Sequence, residues 1–165
     1  MVRKPFSLTA YLALARGGDT RNNQSADWPT RPDGPLIWVH SDTPERLVTL
    51  LTLIKRLRMQ REDFSLLLTS DAADGTAFAL TGHDVAIPPS ETLTEVHRFL
   101  HHWQPNILIW SGNRLRPALL HETSAMGTAM LLVDAADTPW RQPSYRFLPD
   151  ASAGALALFH PIIAQ

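Results

Sequence analysis

Hydrophobic positions along this chain fall into short unbroken runs rather than alternating patterns. Pro35-Leu-Ile-Trp-Val-His40 is apolar up to Val39 and Ile107-Leu-Ile-Trp110 is apolar throughout, and each ends abruptly in polar residues that open a helix. A strand with no alternation is buried on both faces, as in a parallel sheet covered by helices. Between such runs the apolar period changes to that of a helix. Leu47, Leu50, Leu51, Ile54 and Leu57 mark a buried stripe on a helix from about Pro44 to Arg58, with Thr43 as N-cap and Pro44 in the first turn, where a missing N–H is harmless.

The same reading continues down the chain. Strands are expected at 36–40, 64–69, 84–87, 107–110 and 128–133. Further helices are expected at 71–81, at 91–103 capped by Ser90, at 115–124, and through the tail from 150 to 165. Strands alternating with helices predict an α/β domain: a Rossmann-like three-layer α/β/α arrangement with a mainly parallel sheet in the order 3-2-1-4-5. Ligands of such sheets bind beyond the carboxyl ends of the strands, at the point where strand order reverses. The turns after strands one and four are thereby expected to be neighbours.

Residues 1–34 read as an N-terminal helix and a mobile, Gly- and Pro-rich connector, and residues 35–165 as the domain proper. The segment from Phe6 to Ala15 is either an amphipathic helix packed on the domain or, with Arg3, Lys4 and Arg16, a helix lying on a membrane surface. The 165 residues suit one domain, and a formal net charge of -1 offers no electrostatic footprint for nucleic acid. Cysteine is absent, which removes disulfides and thiolate metal sites. No apolar run approaches the ~20 residues needed to span a bilayer.

The first polar turn supplies His40, Ser41, Asp42, Thr43 and Glu45 at a helix start, where free N–H groups and the helix dipole favour anions. Asp42 and Glu45 are either capping carboxylates or candidates for a general base that takes a proton from an acceptor hydroxyl, Asp42 being the weaker of the two. The second turn, Ser111-Gly112-Asn113-Arg114-Leu-Arg116, has the character of an anion site, with a glycine allowing close backbone approach and two arginines able to pair with phosphate. A third polar patch, Thr69 to Thr76, either lines the same crevice or is a plain turn. His97 and His101 have metal-site spacing without the companion Glu of a His-Glu-x-x-His motif, so a solvated helix face is expected there and no metal. Trp38 and Trp110 read as core.

With these segments in order, the chain resembles the N-terminal domain of 3-deoxy-D-manno-octulosonic-acid (Kdo) transferases. The likeness is carried by Arg31-Pro-Asp-Gly-Pro-Leu-Ile-Trp-Val-His40, Leu67-Leu-Thr69 with Asp74-Gly-Thr76, and Arg98-Phe-Leu100 with Trp103-Gln-Pro-Asn106. It continues through Leu115-Arg-Pro-Ala-Leu119 and Leu131-Leu-Val-Asp134 to Leu158-Phe-His-Pro-Ile-Ile-Ala-Gln165. The resemblance implies one half of a GT-B glycosyltransferase, the acceptor side, with the donor domain outside this chain. It further implies CMP-Kdo as donor substrate, a lipid A precursor or related glycolipid as acceptor, no metal or other cofactor, and a peripheral position on the cytoplasmic face of a bacterial inner membrane.

The chain departs from the family at its motifs. Where the family has His-Ala-x-Ser-x-Gly-Glu with a catalytic Glu, this chain has His40-Ser-Asp-Thr-Pro-Glu45. Where the family has Glu-x-Glu-Leu-Trp-Pro, it has Ser111-Gly-Asn-Arg-Leu-Arg-Pro117, with both carboxylates replaced. Two functions from different classes follow: a divergent glycosyltransferase with Glu45 as base, or a non-catalytic relative that binds a glycolipid, nucleotide or protein partner.

Overall fold

The computed structural model describes residues 11–13, 15, 28–71, 84–112, 114–133, 151–160 and 162–163. The strands are β1 (Leu36–Ser41), β2 (Ser65–Ser70), β3 (Asp84–Ala86), β4 (Ile107–Ser111), β5 (Ala129–Val133) and β6 (Ile162–Ile163). The helices are α1 (Pro44–Gln60), α2 (Leu93–Trp103), α3 (Pro117–Ala125) and α4 (Ala151–Leu156). The sheet order is β3-β2-β1-β4-β5-β6, and every pairing is parallel. The expected order is therefore present, extended by one strand.

That extra strand corrects the expectation of a helical tail. α4 stops at Leu156, and Ile162–Ile163 pair with Leu132 and Val133 of β5. Pro161 cannot continue a helix, and two β-branched residues after it fit a sheet edge. The segment expected as a helix at 71–81 lies outside the described residues beyond Asp71.

Each central strand feeds two cores because successive side chains point to opposite faces. Leu36 and Trp38 of β1, Leu67 of β2, Leu108 and Trp110 of β4, and Leu132 of β5 face α2, α3 and α4, where Phe99, Trp103, Leu119 and Ala155, with Phe159 beyond α4, complete the larger cluster. Val39, Leu66, Leu68 and Ile109 face the other way, onto Leu47, Leu50 and Ile54 of α1. The unbroken apolar runs thus arise because alternate residues serve different layers.

Helix starts follow local chemistry. α1 begins at Pro44, with the Thr43 hydroxyl accepting from the Arg46 N–H at 3.4 Å. α2 begins at Leu93 after Thr92, two residues later than a cap at Ser90 requires. Its Glu91 is turned away to α3: the carboxylate accepts from the Ala118 N–H at 3.0 Å and the Leu119 N–H at 3.4 Å, and the Tyr11 hydroxyl donates to it at 2.9 Å. Removal from water raises the Glu91 pKa, opposed by those donors and by Arg116.

Residues 11–13 and 15 are helical, and Tyr11 and Leu12 pack on Ala118, with Leu93 beside them. The last part of the expected mobile connector is held to the domain. Trp28 lies edge-on to Phe99 with centroids 5.6 Å apart, and the Arg31 Nε donates to the Trp103 carbonyl at 2.7 Å. Residues 16–27 lie outside the described residues.

Candidate functional site

β1 lies between β2 and β4, and the register sets Ser41 level with Ser70 on one side and Ser111 on the other. Three strand ends therefore open at one height, at the point where strand order reverses. The adjacency of the first and second polar turns is direct. The Asp42 N–H donates to the Ser111 carbonyl at 3.3 Å. The Asp42 carboxyl occupies the space beside Gly112 so closely that a Cβ built there would lie 2.5 Å from its Cγ. Gly112 also has φ +146°, a conformation that disfavours side chains.

The candidate residues divide by exposure. Ser41 and Ser111 are buried; the Ser41 hydroxyl donates to the Thr43 carbonyl at 2.8 Å and shapes the turn into α1. Thr43 is occupied as the cap of that helix. Asp42 is half-buried, and its Oδ1 lies 3.8 Å from the Arg46 Nη1. Glu45 is exposed in the first turn of α1, so its carboxylate is both favoured by the helix dipole and open to a substrate. Asn113 lies outside the described residues.

The two arginines have different fates. Arg116, expected to be available to phosphate, is held inside the domain. Its Nη2 donates to Asp71 Oδ1 at 2.5 Å and its Nη1 to the Pro89 carbonyl, and its side chain is only 14% exposed. Arg114 is 61% exposed, with its Nη1 3.9 Å from Asp71 Oδ2, a looser contact that leaves the guanidinium facing outward. Asp71 itself is 8% exposed, and the sequence reading did not single it out within the third patch. The signal was a carboxylate directly after β2, the neighbour of β1, in a chain with two arginines on the opposing turn.

Beneath the rim, His40 is fully buried and stacks on Trp110 with centroids 3.8 Å apart. Its Nδ1 is 2.9 Å from the Thr69 hydroxyl, which also accepts from the Trp38 indole N–H at 2.8 Å. Burial lowers the His40 pKa from 6.5 to about 3; Asp71 opposes this, and Arg116 and Arg114 add to it. His40 is therefore a neutral floor for the site rather than a group that meets solvent.

Between pH 6.5 and about 3 the unfolded chain binds a proton at His40 that the folded chain refuses. Acid then favours unfolding, by about 1.4 kcal/mol per pH unit from this one group. Urea titrations across that window are expected to show His40→Asn losing this part of the acid slope. An unchanged slope would mean that His40 does not carry it.

The described residues contain no group of three or more His, Asp or Glu side chains able to hold a metal. His97 is paired with Glu122 at 2.9 Å, and the His102 ring nitrogen lies 2.9 Å from the Pro29 carbonyl. A cleft of about 300 Å³ lined by Ile37, Leu57, Phe64 and Ile107 opens at the amino ends of the strands, away from the carboxylates of the rim.

Comparison with known proteins gives a concordant picture. Over 131 residues the chain is 30% identical to a 3-deoxy-D-manno-octulosonic acid transferase of Rickettsia felis, covering 76% of this chain and 28% of that protein. Over 111 residues it is 27% identical to an Arabidopsis thaliana protein named as a mitochondrial 3-deoxy-D-manno-octulosonic acid transferase, covering 64% of this chain and 24% of that one. The chain thus spans about a quarter of the length of these curated relatives. Among solved structures, a Listeria monocytogenes protein named as a UDP-N-acetylglucosamine 2-epimerase superposes with a TM-score of 0.53 at 13% identity, over 80% of this chain and 38% of that one. At that identity the likeness concerns the fold alone, a Rossmann-like layer of the GT-B type. The profile of the 3-deoxy-D-manno-octulosonic-acid transferase (kdotransferase) family matches residues 15–165, and with the parallel sheet and paired turns described above, the chain belongs to that family as its N-terminal domain.

Proposed function

We propose that this domain is the acceptor-side half of an enzyme that transfers Kdo from CMP-Kdo to a lipid A precursor in lipopolysaccharide biosynthesis. Glu45 takes the proton of the acceptor hydroxyl, the freed oxygen bonds to the anomeric carbon of Kdo, and CMP departs with the electrons of the broken glycosidic bond. Asp42 holds the turn against Gly112, and Arg114 offers a cation to acceptor phosphate or to the sugar carboxylate. The donor nucleotide is held by a domain outside this chain. The enzyme sits peripherally on the cytoplasmic face of the bacterial inner membrane, with residues 3–16 as one contact. The single observation that carries this reading is an exposed carboxylate, Glu45, at a helix start on the rim where β1 and β4 diverge into neighbouring turns.

A second reading has its own observation. Position 112 is a glycine filled by Asp42, and position 116 is an arginine spent on Asp71, where the family carries a carboxylate and a tryptophan. A non-catalytic domain that binds a phosphorylated glycolipid, nucleotide or protein partner is consistent with those changes. The longer protein, incubated with CMP-Kdo and a lipid A precursor, is expected to release CMP in step with a Kdo-bearing product. No CMP release, together with saturable calorimetric binding of the phosphorylated glycolipid, would replace the catalytic reading with the binding one.

A further inference from the structure

Helices on the surface of an α/β domain normally turn charge toward water. α1 does so at Glu45 in its first turn and then only in its last third. Residues 47–54 carry no charged group, yet Val48, Thr49, Thr52 and Leu53 all face outward. Val48 is 64% exposed, and Met59 further along the helix is 87% exposed. The two threonines are less polar than their names suggest. The Thr49 hydroxyl donates to the Glu45 carbonyl at 3.4 Å and the Thr52 hydroxyl to the Val48 carbonyl at 3.1 Å. Their polar atoms are engaged by the helix itself, so a less aqueous medium costs them little.

The charges on this face are mainly cationic toward its C-terminal end, where Lys55, Arg56 and Arg58 stand together; exposed Glu45 and Glu62 flank it, and Arg61 is paired with Asp63 at 3.1 Å. Between residues 46 and 61 there are five cationic side chains (Arg46, Lys55, Arg56, Arg58, Arg61) and no acidic one. Lys55 and Arg56 are exposed, while Arg58 lies over the Phe64 ring at 5.6 Å. Val48, Thr52, Lys55 and Met59 recur at helical spacing and share one stripe, opposite the buried Leu47, Leu50 and Ile54.

We infer that this outer face of α1 docks on an anionic lipid bilayer. An amphipathic helix with apolar and self-satisfied residues on one stripe and lysine and arginine beside them is suited to lie in the interface, its cations meeting lipid phosphate. A second copy of this chain is the poorer occupant, because a two-fold contact through this face sets like charges against each other. The inference rests on the reading of the acceptor as a membrane lipid for its purpose: Val48 is less than one turn from Glu45, so a docked α1 holds that carboxylate at headgroup level.

The test is flotation of the chain with phosphatidylcholine vesicles, with or without phosphatidylglycerol. Wild type is expected to float only with the anionic vesicles, and less so at high salt. Lys55→Gln with Arg56→Gln, and separately Val48→Asp with Met59→Asp, are expected to lower partitioning by roughly tenfold or more, with unchanged circular dichroism. Arg3→Gln with Lys4→Gln is the comparison. Loss confined to that pair, flotation unaffected by either α1 pair, or dimerisation abolished by the α1 substitutions would overturn the proposal. Transfer by the longer protein separates this from the catalytic reading. The α1 variants are expected to keep turnover on detergent-dispersed acceptor and lose it on vesicles. Intact flotation with no transfer in either form would sink the catalytic reading and leave the docking surface standing.

Discussion

Glu45→Gln in the longer protein is expected to lower turnover by roughly 10²- to 10⁴-fold, the range for loss of a general base, with little change in acceptor KM. The alternative role for Glu45 gives a different result. A carboxylate that only complements the first turn of a helix contributes about 0.3–1 kcal/mol of stability and nothing to the chemical step. Initial rates of CMP release and a urea titration on the same variant therefore separate the two. Glu45 is exposed and Asp42 is half-buried against Gly112. Glu45→Asp should accordingly recover part of the rate, and Asp42→Asn should retain more activity than Glu45→Gln. Wild-type turnover in Glu45→Gln would remove the residue from the mechanism.

Arg116→Met is expected to destabilise the domain by up to about 3–5 kcal/mol, because it leaves the buried Asp71 carboxylate with only the looser, solvent-exposed contact to Arg114. Asp71 is 8% exposed, and its Oδ1 accepts directly from Arg116, which also donates to the Pro89 carbonyl and lowers the raised Glu91 pKa. Replacing both members, Asp71→Leu with Arg116→Met, is expected to recover much of the loss, since a well-packed apolar pair can match a buried ion pair. Urea denaturation of the single and double variants measures this. Near-wild-type stability in Arg116→Met would mean that the pair is hydrated and that Arg116 remains available to an anion.

These residues also mark where the sequence was readable and where it was not. Central strand order followed from β1 and β4 because unbroken apolar runs have one physical explanation, burial on both faces, and Thr43-Pro44 announces a helix start by its own chemistry. Adjacency of the two polar turns came with that order. The roles of Arg116 and Asp71 did not, because their pairing spans 45 positions and depends on side-chain reach across the rim. Glu91 was hidden for the same reason: it looks like the first turn of α2 but completes α3, 27 residues away. β6 was missed because its two residues gain their partner only from the edge of a sheet already built. Long-range electrostatic choices and edge additions are set by tertiary structure, and local pattern carries only a faint trace of them.

The seating of the Asp42 carboxyl against Gly112 ties together two positions that stand 70 residues apart. A methyl group added at 112 would have to push the Asp42 carboxyl aside and would itself sit on a strained backbone. Substitution at either position is thereby felt at the other, though the two meet only once β1 and β4 have paired.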